Sequence, residues 1–214
     1  MTLLEERTLT IRPYQECDRE RFNKLYTSAF SSYDGPKFPE RLAALQFALS
    51  PETTLVAIVD QLLVGGATLS PLTEGSESFN NVATTLSWAR ERRDVDDQLI
   101  DYCKEIQNEF GGEVVMTFFD NEFTQGTFEP TKNDVYLSGL FVDEEYRGRG
   151  IGTDLVNEQI KLARERNASA IYVTCVESSP VTKIFKNLAF LPLLRLGPSY
   201  ANGSAALEMG MRLR

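Results

Sequence analysis

The chain has 214 residues and no histidine. That excludes Ser-His-Asp and Cys-His catalysis and removes the commonest metal ligand. Any acid–base step must therefore use a carboxylate, tyrosine, lysine, cysteine or water. Cysteine is sparse and odd in number: Cys17, Cys103 and Cys175, with no Cys-x-x-Cys pair. Neither a disulfide framework nor a zinc site follows, and no metal is expected. No apolar run approaches about 18 residues, so no membrane span is expected. The opening Met1-Thr2-Leu3-Leu4-Glu5-Glu6 carries acid where a secretory leader carries base. A soluble, cytoplasmic protein is the expectation. The net charge of −9 disfavours nucleic-acid backbones and anionic membrane surfaces as partners.

What is present reads as an alternation of strands and helices. Residues 7–12 alternate Leu9 and Ile11 with threonines, a strand closed by Pro13. Residues 17–30 place Phe22, Leu25, Tyr26 and Ala29 at helical spacing, and residues 40–49 do the same with Leu42, Leu45 and Leu49. Residues 55–59 and 62–69 are apolar runs joined by Asp60-Gln61, a hairpin pattern. Residues 83–110 read as helical and 113–119 as a strand. The stretch 71–133 as a whole looks like an insertion within a single domain of residues 1–214. Its mixed charge run at 90–97 reads as a solvated helix face, or as a lid or dimer surface, which brings a homodimer into view. Trp88, Phe118, Phe119, Phe123 and Phe128 fit core packing better than a pocket lining. Residues 170–176 form a continuous apolar run, hence a buried strand. Ser179-Pro180 starts a short helix, and residues 190–196 and 206–213 read as closing strands. The mixture is α/β, or α+β by a strict label.

The most informative stretch is Arg147-Gly148-Arg149-Gly150-Ile151-Gly152. An apolar strand, 135–142, precedes it and an amphipathic helix, 153–166, follows. Glycines let the main chain approach an anion without a Cβ in the way. The helix start adds unpaired N–H groups and the positive end of a dipole. A Walker loop is excluded, because no Gly-Lys-Ser/Thr is present. A dinucleotide fingerprint fails at its last glycine, where Thr153 stands.

From Leu137 to Gly152 the sequence resembles the acetyl-CoA signature of the Gcn5-related N-acetyltransferase (GNAT) family: Arg or Gln, two residues, Gly, one residue, Gly or Ala. Arg147, Gly150 and Gly152 match in register, and the acidic Val142-Asp143-Glu144-Glu145-Tyr146 approach matches too. The following strand and the segment Phe185-Lys186-Asn187-Leu188-Ala189-Phe190 fit the family's spacing. Phe185 stands where the family often has tyrosine, Ala189 where it has glycine, and Ser178 where it has asparagine.

The resemblance implies the acyl-CoA N-acyltransferase fold: a central mixed, mostly antiparallel sheet flanked by helices, here with a helical insertion. It implies acetyl transfer from acetyl-CoA to a primary amine, on a small molecule or a protein. The alternative is a non-catalytic acyl-CoA-binding or interaction module on the same fold. By the resemblance, the amides of Arg147, Gly148, Arg149, Gly150, Ile151, Gly152 and Thr153 hold the CoA pyrophosphate. Main-chain groups of Leu140, Phe141 and Val142 pair with the pantetheine arm, where two central strands diverge. Ser178 and Phe185 complete the cofactor-binding set. A backbone N–H of Phe141 or Val142 faces the developing oxyanion. Strand alternation puts Asp134, Tyr136 and Ser138 on one face, which makes Asp134 and Tyr136 the candidate bases, with Glu177 a further option. Cys175 reads as packing rather than nucleophile.

Overall fold

The computed structural model describes residues 8–34, 51–72, 131–198 and 203–213. Strand β1 (Leu9–Pro13) leads into helix α1 (Arg19–Asp34). Between them Asp18 accepts two hydrogen bonds from Arg12 and one from the Gln15 N–H, which fixes the angle at which α1 leaves the strand. Strands β2 (Thr54–Val59) and β3 (Leu62–Pro71) form the expected hairpin. Asp60 and Gln61 both have positive φ, 50° and 67°. That is the turn geometry whose twist matches a two-residue hairpin.

Next come β4 (Val135–Val142), α2 (Ile151–Glu165), β5 (Ala170–Val176), α3 (Pro180–Asn187), β6 (Leu191–Pro198) and β7 (Ala205–Arg212). The described strands make one seven-stranded sheet in the order β1-β2-β3-β4-β5-β7-β6. All neighbours are antiparallel except β4 and β5, which are parallel. A parallel pair needs a crossover, and α2 supplies it. β3 ends at Pro71 directly across from Val135, the first residue of β4. The helix expected at 40–49, the elements expected at 83–110 and 113–119, the charge run at 90–97 and the aromatics Trp88, Phe118, Phe119, Phe123 and Phe128 lie outside the described residues.

Both faces of the sheet are covered. On one, Phe22 and Tyr26 of α1 pack against Val56, Leu63 and Phe141. On the other, Ile151 and Leu155 of α2 pack against Ala57, Val59, Val64 and Ala67. Further along that second face, Val156, Ile160 and Ala163 of α2 and Phe185 of α3 close over Leu137, Ile171, Val173, Cys175, Leu207 and Met209. Burying this apolar surface at about 25 cal/mol per Å2 is the main force holding the layers together.

Close approach of α1 depends on glycine. A Cβ on Gly66 would sit 2.6 Å from a Phe22 ring carbon and 3.1 Å from two atoms of the Phe141 ring. The Phe22 and Phe141 rings meet edge to face at 4.7 Å over that position.

Candidate active site

Strand β4 carries the decisive irregularity. Gly66 pairs with Phe141 and Thr68 with Ser138, so Ala67 faces both Gly139 and Leu140. Gly139 has φ 64°, the left-handed conformation of the bulge type that needs glycine. The extra residue shifts side-chain parity. Before the bulge, Val135 and Leu137 point to the α2 side; after it, Leu140 and Val142 do, and Phe141 joins α1. Gln159 of α2, fully buried, supports the bulge from below by donating its amide to Ala67 O at 2.7 Å and Thr53 O at 3.0 Å.

Past Tyr136 the two central strands part. β4 and β5 pair only at Val135–Ile171 and Tyr136–Tyr172, although both strands continue. The other edge of β5 is taken by β7 along its whole length. The β4 edge from Leu137 to Val142 therefore lines a cleft rather than a neighbouring strand. Leu140, Phe141 and Val142, expected at the diverging strands, lie along it.

At the mouth of this cleft the chain turns through Arg147–Gly150 into α2. Gly148 and Gly150 have φ 75° and 85°, which side chains other than glycine rarely adopt. A Cβ at Gly148 would meet nothing within 4 Å, and one at Gly150 only Asp154 Oδ2 at 3.9 Å. These two glycines thus serve backbone conformation, leaving an open concavity of main-chain N–H groups. Gly152 serves a different end: its Cβ would lie 3.2 Å from Ile184 Cδ1, so it lets α3 approach the first turn of α2. No side chain caps α2, and its first ladder bond runs from the Asp154 N–H to Gly150 O. The amides of Ile151, Gly152 and Thr153 precede that ladder and retain donor capacity. The concavity and these donors fit a diphosphate.

The two arginines brace the turn. Arg147 Nε donates to Val142 O at 3.0 Å, and Arg149 Nη2 donates to Glu145 O at 2.9 Å with its guanidinium over the Tyr146 ring. Both side chains are exposed and keep further donors, since a guanidinium has five. Asp143 ties the turn to α1, accepting from Arg21 Nη2 at 2.9 Å while capping the turn at Glu145.

The remaining expected residues divide. Tyr136 is half-buried at the point where the strands part, and its hydroxyl donates to Thr174 Oγ1 at 2.7 Å. Burial first, and then the negative charge of Glu208, raise that hydroxyl above its ordinary range. Asp134 is buried just before β4, two residues from Tyr136, where Oδ2 accepts from the Thr131 N–H at 2.7 Å; burial raises its carboxyl. Glu177 is engaged by Arg195 Nε at 2.8 and 2.9 Å. Ser178 is exposed in the turn before α3. Phe185, expected at the cofactor, instead packs in the core at 1% exposure, 5.1 Å from the Phe190 ring. The physical reason is that α3 presents its strongly apolar face inward. Cys175 is buried and burial raises its thiol, which suits packing. Sequence reasoning missed Glu208, a carboxylate 5% exposed within β7. The available signal was a lone acid inside an apolar strand run.

The chain is similar to known proteins. A family model described as the acetyltransferase (GNAT) family matches residues 19–190. N-alpha-acetyltransferase 30 of Xenopus laevis is 35% identical over 80 residues, 37% of this chain and 29% of that protein's length. Among solved structures, the NatC complex bound to Gag peptide and CoA aligns with TM-score 0.60 and 14% identity over 96% of this chain and 99% of the matched one. Ard1 from Thermoplasma volcanium aligns with TM-score 0.59 and 15% identity, covering 96% and 98%. With the strand–glycine-turn–helix unit in place and the family model spanning most of its length, the chain belongs to the GNAT acetyltransferase family.

Proposed function

We propose that the protein is an acetyl-CoA-dependent N-acetyltransferase acting on a primary amine, and that its acceptor is a peptide α-amino group. The observation that carries the reading is the β4 edge left unpaired by β5 beyond Tyr136, followed in the chain by the open Gly148–Gly150 turn at the start of α2. The 80-residue similarity to an N-alpha-acetyltransferase favours a peptide terminus over a small amine. When bound, acetyl-CoA supplies an activated thioester carbonyl.

The chain's own groups do the rest. The amides from Gly148 to Thr153 hold the diphosphate, the Arg147 N–H being already donated to Glu144 O at 3.3 Å, with spare arginine donors beside them. The β4 edge at Leu140–Val142 pairs with an extended arm as a further strand would. A main-chain N–H at Phe141 or Val142 opposes negative charge developing on the carbonyl oxygen. Of the two candidate bases, we favour Tyr136, which stands where the strands part, and assign Asp134 to closing the 131–134 turn. With phenylalanine at position 185, no family tyrosine protonates the leaving thiolate, whose low basicity lets it depart as the anion. A cytoplasmic setting, a homodimer and a role for residues 71–133 over the acceptor side belong to the same proposal.

The test compares Gly150→Glu with Gly150→Ala. Both impose a strained left-handed φ, about 1–2 kcal/mol. Only glutamate adds a carboxylate to the anion site, next to Asp154. Calorimetry should show at least a hundredfold loss of CoA affinity for Gly150→Glu and less than about tenfold for Gly150→Ala, with far-ultraviolet circular dichroism retained. Equal affinities would refute the cradle. Wild-type protein that binds CoA yet releases no thiol with any amine would be the non-catalytic module.

A further inference from the structure

Glu208 has no ion-pair partner among the described residues, and its neighbours Leu207 and Met209 are core. Burying a carboxylate without a cation is destabilising, so packing alone does not account for it. Strand alternation puts Glu208 on the face away from α2 and α3, directly across from Thr174 of β5. Thr174 Oγ1 donates to Glu208 Oε1 at 2.6 Å, and the Tyr136 hydroxyl donates to Thr174 Oγ1 at 2.7 Å. Three side chains from three strands form one line of hydrogen bonds. It starts at Tyr136, the last β4 residue paired to β5, and ends on a carboxylate.

We propose that Glu208 is the terminal proton acceptor for the attacking amine, reached through Thr174 and Tyr136. The proposal rests on the N-acetyltransferase reading. Tyr136 is the catalytic residue; Thr174 and Glu208 act through it. An ammonium proton passes to Tyr136 Oη as the tyrosine proton passes to Thr174 Oγ1 and the threonine proton to Glu208 Oε1. The carboxylate becomes a carboxylic acid and the amine becomes neutral. Its lone pair then forms the C–N bond as the thioester C–S bond breaks. The proton shed by the new amide nitrogen goes to the thiolate, and Glu208 returns its proton to solvent.

The energetics suit this route. Burial pushes Glu208 up to about 7, against the Thr174 hydrogen bond. That is close to an α-ammonium at about 7.7–8.0, so the transfer is nearly balanced. The titratable groups facing Glu208 among the described residues are Tyr136 on β4 and Tyr172 on β5; Cys175 is adjacent on the other face. Within β7 its same-face neighbours are Ala206 and Gly210, and Leu194 of β6 lies across from it. Arg195 of β6 lies across from Leu207 and binds Glu177 instead. In a chain without histidine, the relay places a near-neutral base at the cleft.

The experiment uses the full chain, acetyl-CoA and peptides with free α-amino groups, with thiol release followed from pH 5.5 to 9. Wild-type kcat/KM should rise through an apparent pKa near 7. Glu208→Gln should lose about a hundredfold in kcat and lose that limb, with KM and CoA affinity within about twofold. Thr174→Val should match it, the double variant should be no worse, and Thr174→Ser and Glu208→Asp should restore much of the rate. Isotope-edited infrared spectra should show a protonated-carboxyl band that titrates near neutrality, vanishes in Glu208→Gln and moves in Thr174→Val. A Glu208→Gln enzyme with wild-type rate and pH limb overturns the relay while leaving the transferase reading intact. Multiplicative losses in the double variant overturn it too. A wild-type chain without amine-dependent turnover refutes both.

Discussion

Glu208 makes a prediction about stability that does not depend on catalysis. Its carboxyl sits near 4.5 in an unfolded chain and is pushed to about 7 in the fold. The folded state therefore binds the proton more tightly. Below the unfolded value both states are protonated and the residue imposes no ionic penalty. Between the two values the unfolded state is ionised and the native state is not, so stability falls as pH rises. Above about 7 the full penalty is present, on the order of 3 kcal/mol. Replacing Glu208 with glutamine removes the titration and adds a pH-independent offset of about 1–3 kcal/mol from the amide donors it brings into a buried site. Urea unfolding of both proteins at intervals from pH 4 to 8 isolates the effect. Asp18 titrates equally in both and cancels; burial opposes its ionisation, but its bonds from Arg12 and the Gln15 N–H hold it below its ordinary value. The difference in unfolding free energy, variant minus wild type, should grow by about 3 kcal/mol across that range. A difference flat within about 0.5 kcal/mol would refute the reasoning, because a carboxylate that ionises freely in the fold cannot carry this penalty.

Other consequences are separable. Gly66→Ala should destabilise by about 1–3 kcal/mol in urea titrations, because its Cβ would meet the packed Phe22 ring; Phe22→Leu in the same background should recover part of the loss. Unchanged stability would mean that α1 does not depend on that contact. Gln159→Leu should cost about 2 kcal/mol or more by orphaning the carbonyls of Thr53 and Ala67, and should weaken CoA binding through the β4 bulge. Brief alkylation followed by peptide mapping should modify exposed Cys17 and spare buried Cys175 until the protein is unfolded; equal labelling in the native state would contradict the core placement.

Much of the fold was legible because its signals are local. The β4 and β5 boundaries read from apolar runs coincide with the strands, and Ser179-Pro180 opens α3 by capping the Val181 N–H. The glycine turn was legible for the same reason: conformation, charge and helix start all lie within six residues. Ser138, Gly139 and Leu140, by contrast, read as ordinary strand. The bulge exists only because Ala67 on another strand faces two residues at once. Spacing places Phe185 at a family position, whereas how far its ring faces the core depends on how α3 rolls against the sheet. Residue types alone did not nominate Glu208, since an acid in a strand usually faces water.

The sequence by itself determined the strand–turn–helix unit and the family, through backbone preferences written into adjacent residues. It also excluded histidine chemistry outright. Only the tertiary structure decided where the sheet opens, since strands part when register, bulge and packing on both faces act together. It also decided which carboxylate stands behind Tyr136: three strands far apart in the chain had to be laid side by side before Tyr136, Thr174 and Glu208 became one line of hydrogen bonds.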